Sequence, residues 1–197
     1  MKVETVGVLL AGGESRRFGS PKAFSQYNGI PFFNYSLKAI EGITEKQVII
    51  SHPSLVQQFS VKTDLPIFTD EEKFKGKGPL AGIYTAMKQV KAEWYVVLSC
   101  DIPRITPEVV NRLVCERTTD HQAIIPIING NLQPLIGVYH HSVYKIIEQL
   151  LHDKSYKVML LLNQVNVRYL NEVDLKTDKM TFENINTQQD LNQLEKK

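Results

Sequence analysis

One short segment near the start of the chain combines the residue types that bind phosphate. Gly12 and Gly13 are adjacent, and without Cβ atoms their backbone N–H groups can approach a phosphate closely. Arg16, Arg17 and Lys22 follow and supply the positive charge that a triphosphate requires. The alternative is an exposed glycine turn whose charged residues are only solvated. Because the glycines, the cations and a preceding apolar run coincide, we predict a phosphate-binding loop.

This loop matches neither of the two common nucleotide-binding motifs. No Gly-Lys-Ser/Thr follows Gly13 at the spacing of a Walker A loop, and the adjacent glycines break the Gly-x-Gly-x-x-Gly pattern of dinucleotide-binding folds. Ser15 lies in no Gly-x-Ser-x-Gly elbow, so a hydrolase nucleophile is not expected here. The sequence therefore predicts a phosphate loop of another type.

Asp101 is the second candidate, because it follows the apolar run Tyr95–Leu98 and precedes Ile102-Pro103. A carboxylate at the end of a strand can bind Mg²⁺ together with the phosphates of a substrate. Aspartate is also common in turns for structural reasons alone. The phosphate loop elsewhere in the chain favours the metal-binding role. The adjacent Cys100 has no identifiable histidine partner, which favours packing over nucleophilic catalysis.

A third candidate region is the loop that begins at Asp70. Two glutamates and three lysines follow Asp70, and such a charge run is by default a solvated loop. Gly76 and Gly78 make the loop bendable and end it at the start of a helix. The run Gly78–Ile83 places small residues at that helix start, where a flat ligand such as a nucleotide base can approach.

The elements that must position these residues alternate along the chain. Apolar strand patterns are predicted at 6–10, 47–50, 66–69, 95–98, 123–128, 134–139 and 165–170, and helical patterns at 31–40, 80–90, 106–116, 143–151, 156–162 and from 187. Asn129-Gly130 predicts a hairpin turn between two of the strands. The alternation predicts one α/β domain over 1–197, three-layered and Rossmann-like, with a mainly parallel sheet covered by helices on both faces.

The candidate residues follow the first four predicted strands. The loops are Gly12–Pro21, Ser51-His52, Asp70–Gly78 and Cys100–Pro103. Ligands of such sheets bind at the carboxyl ends of the strands, where the loops gather. We therefore expect these four loops to form a single site.

Composition excludes several other classes of protein. The 197 residues include 23 basic and 21 acidic side chains, a formal net charge of +2, which gives no electrostatic reason to expect a nucleic-acid or membrane-surface partner. The apolar run Val158–Leu162 is far shorter than the ~20 residues of a membrane span. Cys100 and Cys115 show no CxxC spacing and are expected as packing residues in a reducing compartment. We expect a cytoplasmic protein that binds neither nucleic acid nor membrane.

Several motifs occur here in combination: Leu10-Ala11-Gly12-Gly13 with the paired arginines, Phe18-Gly19 and Lys22, then Gly78–Gly82, Cys100–Pro103, Gln133–Leu135 and Phe182–Thr187. In this combination nearly the whole chain resembles the bacterial molybdenum cofactor guanylyltransferases, a branch of the nucleotide-diphospho-sugar-transferase-like nucleotidyltransferases. The opening motif is shared with cytidylyl- and sugar-nucleotidyltransferases and indicates only the superfamily. The later motifs are more specific.

The resemblance implies a reaction and a set of roles. The reaction is Mg²⁺-dependent transfer of GMP from GTP to the terminal phosphate of molybdenum-bound molybdopterin, with release of pyrophosphate. The implied contacts are Leu10, Ala11, Gly12 and Gly13 with the nucleotide, Lys22 with its phosphates, Asp70 with guanine or ribose, Gly78 with the base, Asp101 with Mg²⁺, and Asn184 and Asn186 with the pterin. Lys22, Arg16 and Arg17 would neutralise the pyrophosphate leaving group. Proteins that deliver molybdopterin or accept the finished cofactor are implied as partners.

Three positions depart from the family pattern. Phe18 stands where Met is frequent, Gln188 replaces a usual Pro, and Ser51 occupies a position where family members can carry an Asn that contacts the nucleotide. Two other functions remain open: a related cytidylyl- or sugar-phosphate nucleotidyltransferase, and a module that binds GTP without turnover. The latter would keep the glycine loop but would not require Asp101.

Overall fold

Strands and helices alternate along the chain, as the sequence pattern predicts. The computed structural model describes residues 4–13 and 18–194. Its strands are β1 (Thr5–Ala11), β2 (Gln26–Tyr27), β3 (Ile30–Pro31), β4 (Lys46–Ser51), β5 (Ile67–Phe68), β6 (Trp94–Ser99), β7 (Ala123–Ile128), β8 (Asn131–Leu132), β9 (Ile136–His140) and β10 (Val167–Leu170). Its α-helices are α1 (Phe32–Ile40), α2 (Val56–Ser60), α3 (Pro79–Gln89), α4 (Pro107–Cys115), α5 (Tyr144–His152), α6 (Val158–Leu162), α7 (Glu172–Leu175) and α8 (Gln188–Leu194). None of the helices in these residues is long and apolar enough to cross a membrane.

One mixed, mostly parallel sheet organises the described residues. Its strand order is β10-β7-β9-β6-β1-β4-β5, and β8 pairs with β7. The β5, β4, β1 and β6 strands are parallel neighbours, as are β7 and β10. The exception in the main path is β9, which is antiparallel to both β6 and β7. The prediction of a mainly parallel sheet is confirmed.

The predicted hairpin turn is confirmed, with one short strand added after it. Asn129 and Gly130 form a tight turn with φ of +48° and +73°, and the two-residue β8 follows at once. The strand predicted at 134–139 begins only at Ile136, because Pro134 has no N–H to donate to a ladder. This strand, β9, is antiparallel to β7, and on its other side it pairs with β6.

Helices cover both faces of the sheet and produce the predicted three layers. Successive residues of β6 point to opposite faces: Tyr95 and Val97 pack in a cluster with α3, α5 and α6, whereas Val96 and Leu98 pack in a cluster with α1, α4 and α7. All four of these side chains are buried. A strand that is apolar on both faces is what a central strand between two helical layers requires.

The strand register brings the candidate loops to one edge of the sheet. Leu10 of β1 is paired with Ser99 of β6, and Ala11 is paired with Ser51 of β4. Because these parallel strands end at the same level, the loops that follow them start side by side. The expected gathering of the loops is confirmed.

The C-terminal segment returns to the same edge of the sheet. Ile185 N donates to Asp101 O over 2.9 Å, and Ile185 packs in a buried cluster with Leu191 and Leu194 of α8. The last helix begins at Gln188, in agreement with the helical pattern predicted from 187. Thr187 and Asp190 cap its start, because each accepts a hydrogen bond from the other's backbone N–H.

Candidate active site

A cavity of about 520 Å³ lies where the four loops meet. Its lining residues come from all four loops, from α3 and from the C-terminal segment: Leu10, Ala11, Gly12, Gly13, Lys22, Ala23, Ile50, Ser51, His52, Pro53, Leu55, Asp70, Lys75, Gly76, Gly78, Pro79, Gly82, Ser99, Cys100, Asp101, Leu135 and Asn186. The cavity is large enough for a small-molecule ligand. Leu10 and Asn186, which are 176 positions apart in the chain, thus line the same cavity.

The glycines of the first loop are not required by protein packing. A Cβ at Gly12 or Gly13 would meet nothing within 4 Å, and neither residue has a φ in the left-handed region. The fold itself would accept a side chain at both positions. The open space beside them is available to a ligand, in agreement with the predicted close approach of a phosphate.

Gly82 has a packing role beneath the cavity. A Cβ at Gly82 would lie 2.9 Å from Leu10 Cδ2 and 3.9 Å from Asp70 Oδ1. The missing side chain therefore allows α3 to pack closely against the end of β1. This contact fixes the part of the cavity wall that Leu10 and Asp70 form.

Lys22, Asp101 and Asn186 form a hydrogen-bonded cluster in the cavity wall. Lys22 Nζ donates to Asp101 Oδ2 over 3.0 Å and to Asn186 Oδ1 over 2.8 Å. The Lys22 and Asp101 side chains are only 12% and 21% exposed, so solvent screens their attraction less than that of a surface pair. The residues predicted for phosphate binding, metal binding and the pterin side are thus in direct contact.

Two buried serines orient Asp101, and the sequence analysis missed both. Ser99 Oγ donates to Asp101 Oδ1 over 2.6 Å, and Ser36 Oγ of α1 donates to Ser99 O over 2.8 Å. Ser99 is the last residue of an otherwise apolar strand, two positions before Asp101. That polar strand-end residue is the signal in the sequence that identifies it.

Asp70 lies partly buried in the wall of the cavity. Its Oδ2 accepts a hydrogen bond from Gly76 N over 3.1 Å, which pins the lysine-containing loop. Burial raises the pKa of Asp70, and this effect exceeds the opposing influence of the Gly76 N–H and of His52. Lys75, from the same loop, also lines the cavity and was not predicted to do so.

The carbonyl groups at the end of β1 already have partners. Leu10 O accepts from Cys100 N over 3.2 Å, and Ala11 O accepts from His52 N over 3.4 Å. Each carbonyl oxygen has a second lone pair. Both can therefore accept one further hydrogen bond from a ligand.

Cys100 and Ser51 contribute to packing and local hydrogen bonding. Burial and the neighbouring Asp101 raise the pKa of the Cys100 thiol to about 12, so the thiol stays protonated at neutral pH and is a poor nucleophile. Ser51 is buried, and its Oγ donates to His52 O. The expected packing role of Cys100 agrees with this environment.

Not every predicted site residue is found in the cavity wall. Asn184 is exposed and does not line the cavity, so its role on the pterin side stays a prediction. Arg16 and Arg17 lie outside the described residues, and their roles also stay predictions.

The donor set around Asp101 fits a magnesium ion held together with substrate phosphates. The described residues contain no group of three or more His, Cys, Asp or Glu side chains arranged for a metal, but Mg²⁺ bound with phosphates needs only one or two carboxylates. Each oxygen of Asp101 accepts one hydrogen bond, and a carboxylate oxygen has two lone pairs. Each oxygen therefore keeps acceptor capacity for a cation.

Comparisons with known proteins identify the family of this chain. Residues 7–167 match the model of the MobA-like NTP transferase domain. A probable molybdenum cofactor guanylyltransferase of Geobacillus sp. is 44% identical over 181 residues, 92% of this chain and 93% of that relative. One of Halalkalibacterium halodurans is 38% identical over 193 residues, 97% of this chain and 98% of the relative.

A solved structure has the same fold. The molybdopterin-guanine dinucleotide biosynthesis protein A of Archaeoglobus fulgidus aligns with a TM-score of 0.82 at 26% identity, over 97% of both chains. The family model matches most of the chain, and the two relatives are similar to it over nearly their whole length. The chain therefore belongs to the MobA-like NTP transferase family, in the branch of the molybdenum cofactor guanylyltransferases.

Proposed function

We propose that this protein transfers GMP from GTP to the terminal phosphate of molybdenum-bound molybdopterin and releases pyrophosphate. The observation that carries the proposal is the contact of Lys22 with Asp101 in a cavity that a glycine loop and Asp70 also line. The relatives named molybdenum cofactor guanylyltransferase supply the identity of the two substrates.

The nucleotide binds along the wall formed by Leu10–Gly13, Asp70 and Gly78. Guanine presents its N1–H and its amine as donors, so its pocket needs hydrogen-bond acceptors. The Asp70 carboxylate and the carbonyls at the end of β1 are such acceptors, and they line the same cavity. Gly12 and Gly13 leave open space for the backbone to approach the phosphates.

Transfer proceeds by direct displacement at the α-phosphorus. An oxygen of the acceptor's terminal phosphate attacks in line, a new P–O bond forms, and the bond to the oxygen that bridges the α- and β-phosphates breaks. The bonding electrons leave with pyrophosphate, so no covalent enzyme intermediate is needed. Lys22 neutralises part of the negative charge on the phosphates, and Arg16 and Arg17 are proposed to do the same. Catalysis is then mainly positioning and electrostatic stabilisation.

Asp101 is the residue proposed to hold Mg²⁺. When bound, the ion supplies positive charge and Lewis acidity to the phosphates. The Lys22 ammonium ends a flexible four-carbon stem, so it can serve the phosphates while it remains near Asp101. Asn186 is proposed on the acceptor side, and its contact with Lys22 links that side to the phosphate site. Asn184 is proposed as a second pterin contact.

A direct assay tests the proposal and separates it from the alternatives. The protein is incubated with GTP, Mg²⁺ and molybdenum-loaded molybdopterin; pyrophosphate is measured, and the pterin product is analysed by mass. We expect pyrophosphate release and a mass increase of one GMP. Binding of GTP without pyrophosphate release would indicate a binding module, and transfer only to a sugar phosphate would indicate a related nucleotidyltransferase. Proteins that deliver molybdopterin or accept the product are proposed partners and are left out of this assay.

A further inference from the structure

The C-terminal segment contributes to the active site although it lies beyond the region that the family model matches. The model ends at residue 167, whereas Asn186 lines the cavity and accepts a hydrogen bond from Lys22 Nζ over 2.8 Å. In the proposed function, Lys22 is the cation that neutralises charge on the phosphates. The placement of this segment is therefore relevant to catalysis.

One carboxylate oxygen holds the backbone of this segment in place. Asp190 Oδ2 accepts hydrogen bonds from Asn186 N over 2.9 Å and from Thr187 N over 2.8 Å. In return, Asp190 N donates to Thr187 Oγ1 over 3.1 Å. Thr187 and Asp190 are the capping pair of α8, but their side chains hold different backbone groups. The Asp190 carboxylate holds the N–H of Asn186, whereas the Thr187 hydroxyl holds the N–H of Asp190 at the start of α8.

The neighbouring contacts leave Asn186 little freedom once Asp190 is in place. On its other side, Ile185 N donates to Asp101 O over 2.9 Å, and the Ile185 side chain is buried. The backbone of Asn186 is thus pinned on both sides. These contacts limit the positions from which its side-chain amide can reach Lys22.

We propose that Asp190 is a positioning residue that holds Asn186 against Lys22 and so fixes the Lys22 ammonium for phosphoryl transfer. The inference rests on the proposed function, because it gives Lys22 a task in the reaction. Without Asp190, Asn186 loses the acceptor of its backbone N–H, and its side-chain contact with Lys22 is no longer held in place from that side. A displacement of about 1 Å in a positioned group can cost up to about 100-fold in rate.

Asp190→Ala and Thr187→Ala form a matched pair for the test. Each removes one of the two side chains that cap α8, so both are expected to lower stability to a similar extent. Asp190→Ala alone releases the N–H of Asn186. We expect Asp190→Ala to lower kcat by about tenfold with little change in KM for GTP, and Thr187→Ala to leave kcat near the wild-type value. Equal loss of kcat in the two variants would overturn the proposal.

A double-mutant cycle with Asn186→Ala tests whether Asp190 acts through Asn186. If it does, Asp190→Ala adds almost nothing to the loss of kcat that Asn186→Ala already causes, because coupled residues are not additive. If kcat of the double variant falls by the product of the two single losses, the proposal is contradicted. Asp190→Asn retains an acceptor oxygen and is expected to restore part of kcat; it replaces the alanine variant if that variant does not fold.

A structural readout separates this inference from the proposed function. Crystal structures of the two single variants are expected to show the contact from Lys22 Nζ to Asn186 Oδ1 lost in Asp190→Ala and kept in Thr187→Ala. If the contact persists in Asp190→Ala, the inference is wrong, whatever the enzyme transfers. If wild-type protein releases no pyrophosphate, the proposed function fails while the structural comparison still decides the positioning role.

Discussion

Lys22 Nζ lies 3.0 Å from Asp101 Oδ2, although the two residues are 79 positions apart in the chain. The contact depends on the pairing of β1 with β6, which aligns Leu10 with Ser99 and starts both loops at the same level. Each residue neutralises the charge of the other. The two residues that we assign to phosphate and metal are therefore one electrostatic unit, and a substitution of either changes the surroundings of both.

Removal of the Lys22 charge should slow the chemical step. We expect Lys22→Ala to lower kcat by about 100-fold or more, since the leaving group loses a neutralising cation, while guanosine binding changes little. Lys22→Arg should recover only part of the rate, because the guanidinium fork differs from the ammonium in shape and reach. Steady-state kinetics and guanosine binding provide the measurements.

Lys46 provides a matched control for this substitution. It is exposed, pairs with Glu4 and lies at the amino end of β4, the opposite end from the cavity. Lys46→Ala should leave kcat and KM unchanged. Full activity of Lys22→Ala would show that Lys22 has no part in the reaction.

Asp101→Asn should keep the fold and lose most turnover. The substitution keeps one oxygen that can accept from Lys22 and places beside Ser99 an amide NH2 that can donate to the hydroxyl, but it removes the anion that is proposed to bind Mg²⁺. We expect a loss of about 100-fold or more in kcat, measured over a titration of Mg²⁺. Asp64→Asn, at an exposed position, should have no effect. Near-normal rates of Asp101→Asn at moderate Mg²⁺ would remove Asp101 from the metal-binding role.

A methyl group at Gly82 should disturb nucleotide binding more than folding. The new Cβ would lie 2.9 Å from Leu10 Cδ2, and a displaced Leu10 side chain must move within the cavity wall. Overpacking costs about 1–3 kcal/mol, and the higher helix propensity of alanine offsets about 1 kcal/mol of it. We expect Gly82→Ala to raise KM for GTP while the free energy of unfolding changes little.

Gly7→Ala tests the same kind of overpacking away from the cavity. Its Cβ would lie 2.6 Å from Ile40 Cδ1 and 3.0 Å from Thr44 Oγ1. This variant should lose about 1–3 kcal/mol of stability and keep its KM for GTP. An unchanged KM in Gly82→Ala would contradict the assignment of Leu10 to the nucleotide.

The stability contribution of Asp70 should depend on pH. Its pKa is raised in the folded protein, chiefly by burial, so the folded state binds this proton more tightly than the unfolded state. Stability from this group is therefore present at low pH and is lost as pH rises through the raised pKa. Asp70→Asn removes the ionisable group and with it this loss of stability at higher pH. In urea denaturation, the free energy of unfolding of the variant relative to wild type should be higher at about pH 7 than at about pH 4. The same difference at both pH values would be evidence against a raised pKa.

The arrangement of the four loops could be predicted from the sequence because an apolar strand pattern precedes each of them. Buried strands followed by polar residues predict a common edge in a parallel sheet, and the register between β1, β4 and β6 agrees with that expectation. The pairing of β9 with β6 on its other side could not be predicted. Pairing between strands distant in sequence leaves no local periodicity.

The finer geometry of the site was also beyond local patterns. Asn186 was predicted on the pterin side by resemblance, but its contact with Lys22 depends on the path of the C-terminal segment past Asp101. The hydrogen bond from Ser36 to Ser99 joins a helix to a strand 63 residues away. Both are tertiary contacts, and the residue types involved are common in loops and helices for other reasons.

The proposed transfer of GMP to the pterin is tested most directly by which nucleoside triphosphate the protein uses. Adenine has no hydrogen at N1 and carries its amine at C6, so it would forgo the hydrogen bonds that guanine can add at Asp70 and at the end of β1. A hydrogen bond to a carbonyl is worth about 0.5–1.5 kcal/mol and one to a carboxylate about 1.5–3 kcal/mol, so the two give a discrimination of about 30-fold or more. Cytosine is smaller than guanine and would leave part of the surface at Gly78–Gly82 uncovered.

The measurement is competition between GTP, CTP, ATP and UTP at equal concentration for molybdenum-bound molybdopterin, with the nucleotide on the pterin identified by mass. We expect GMP to be incorporated well ahead of the other three nucleotides. Equal incorporation of CMP and GMP would contradict the guanylyltransferase assignment.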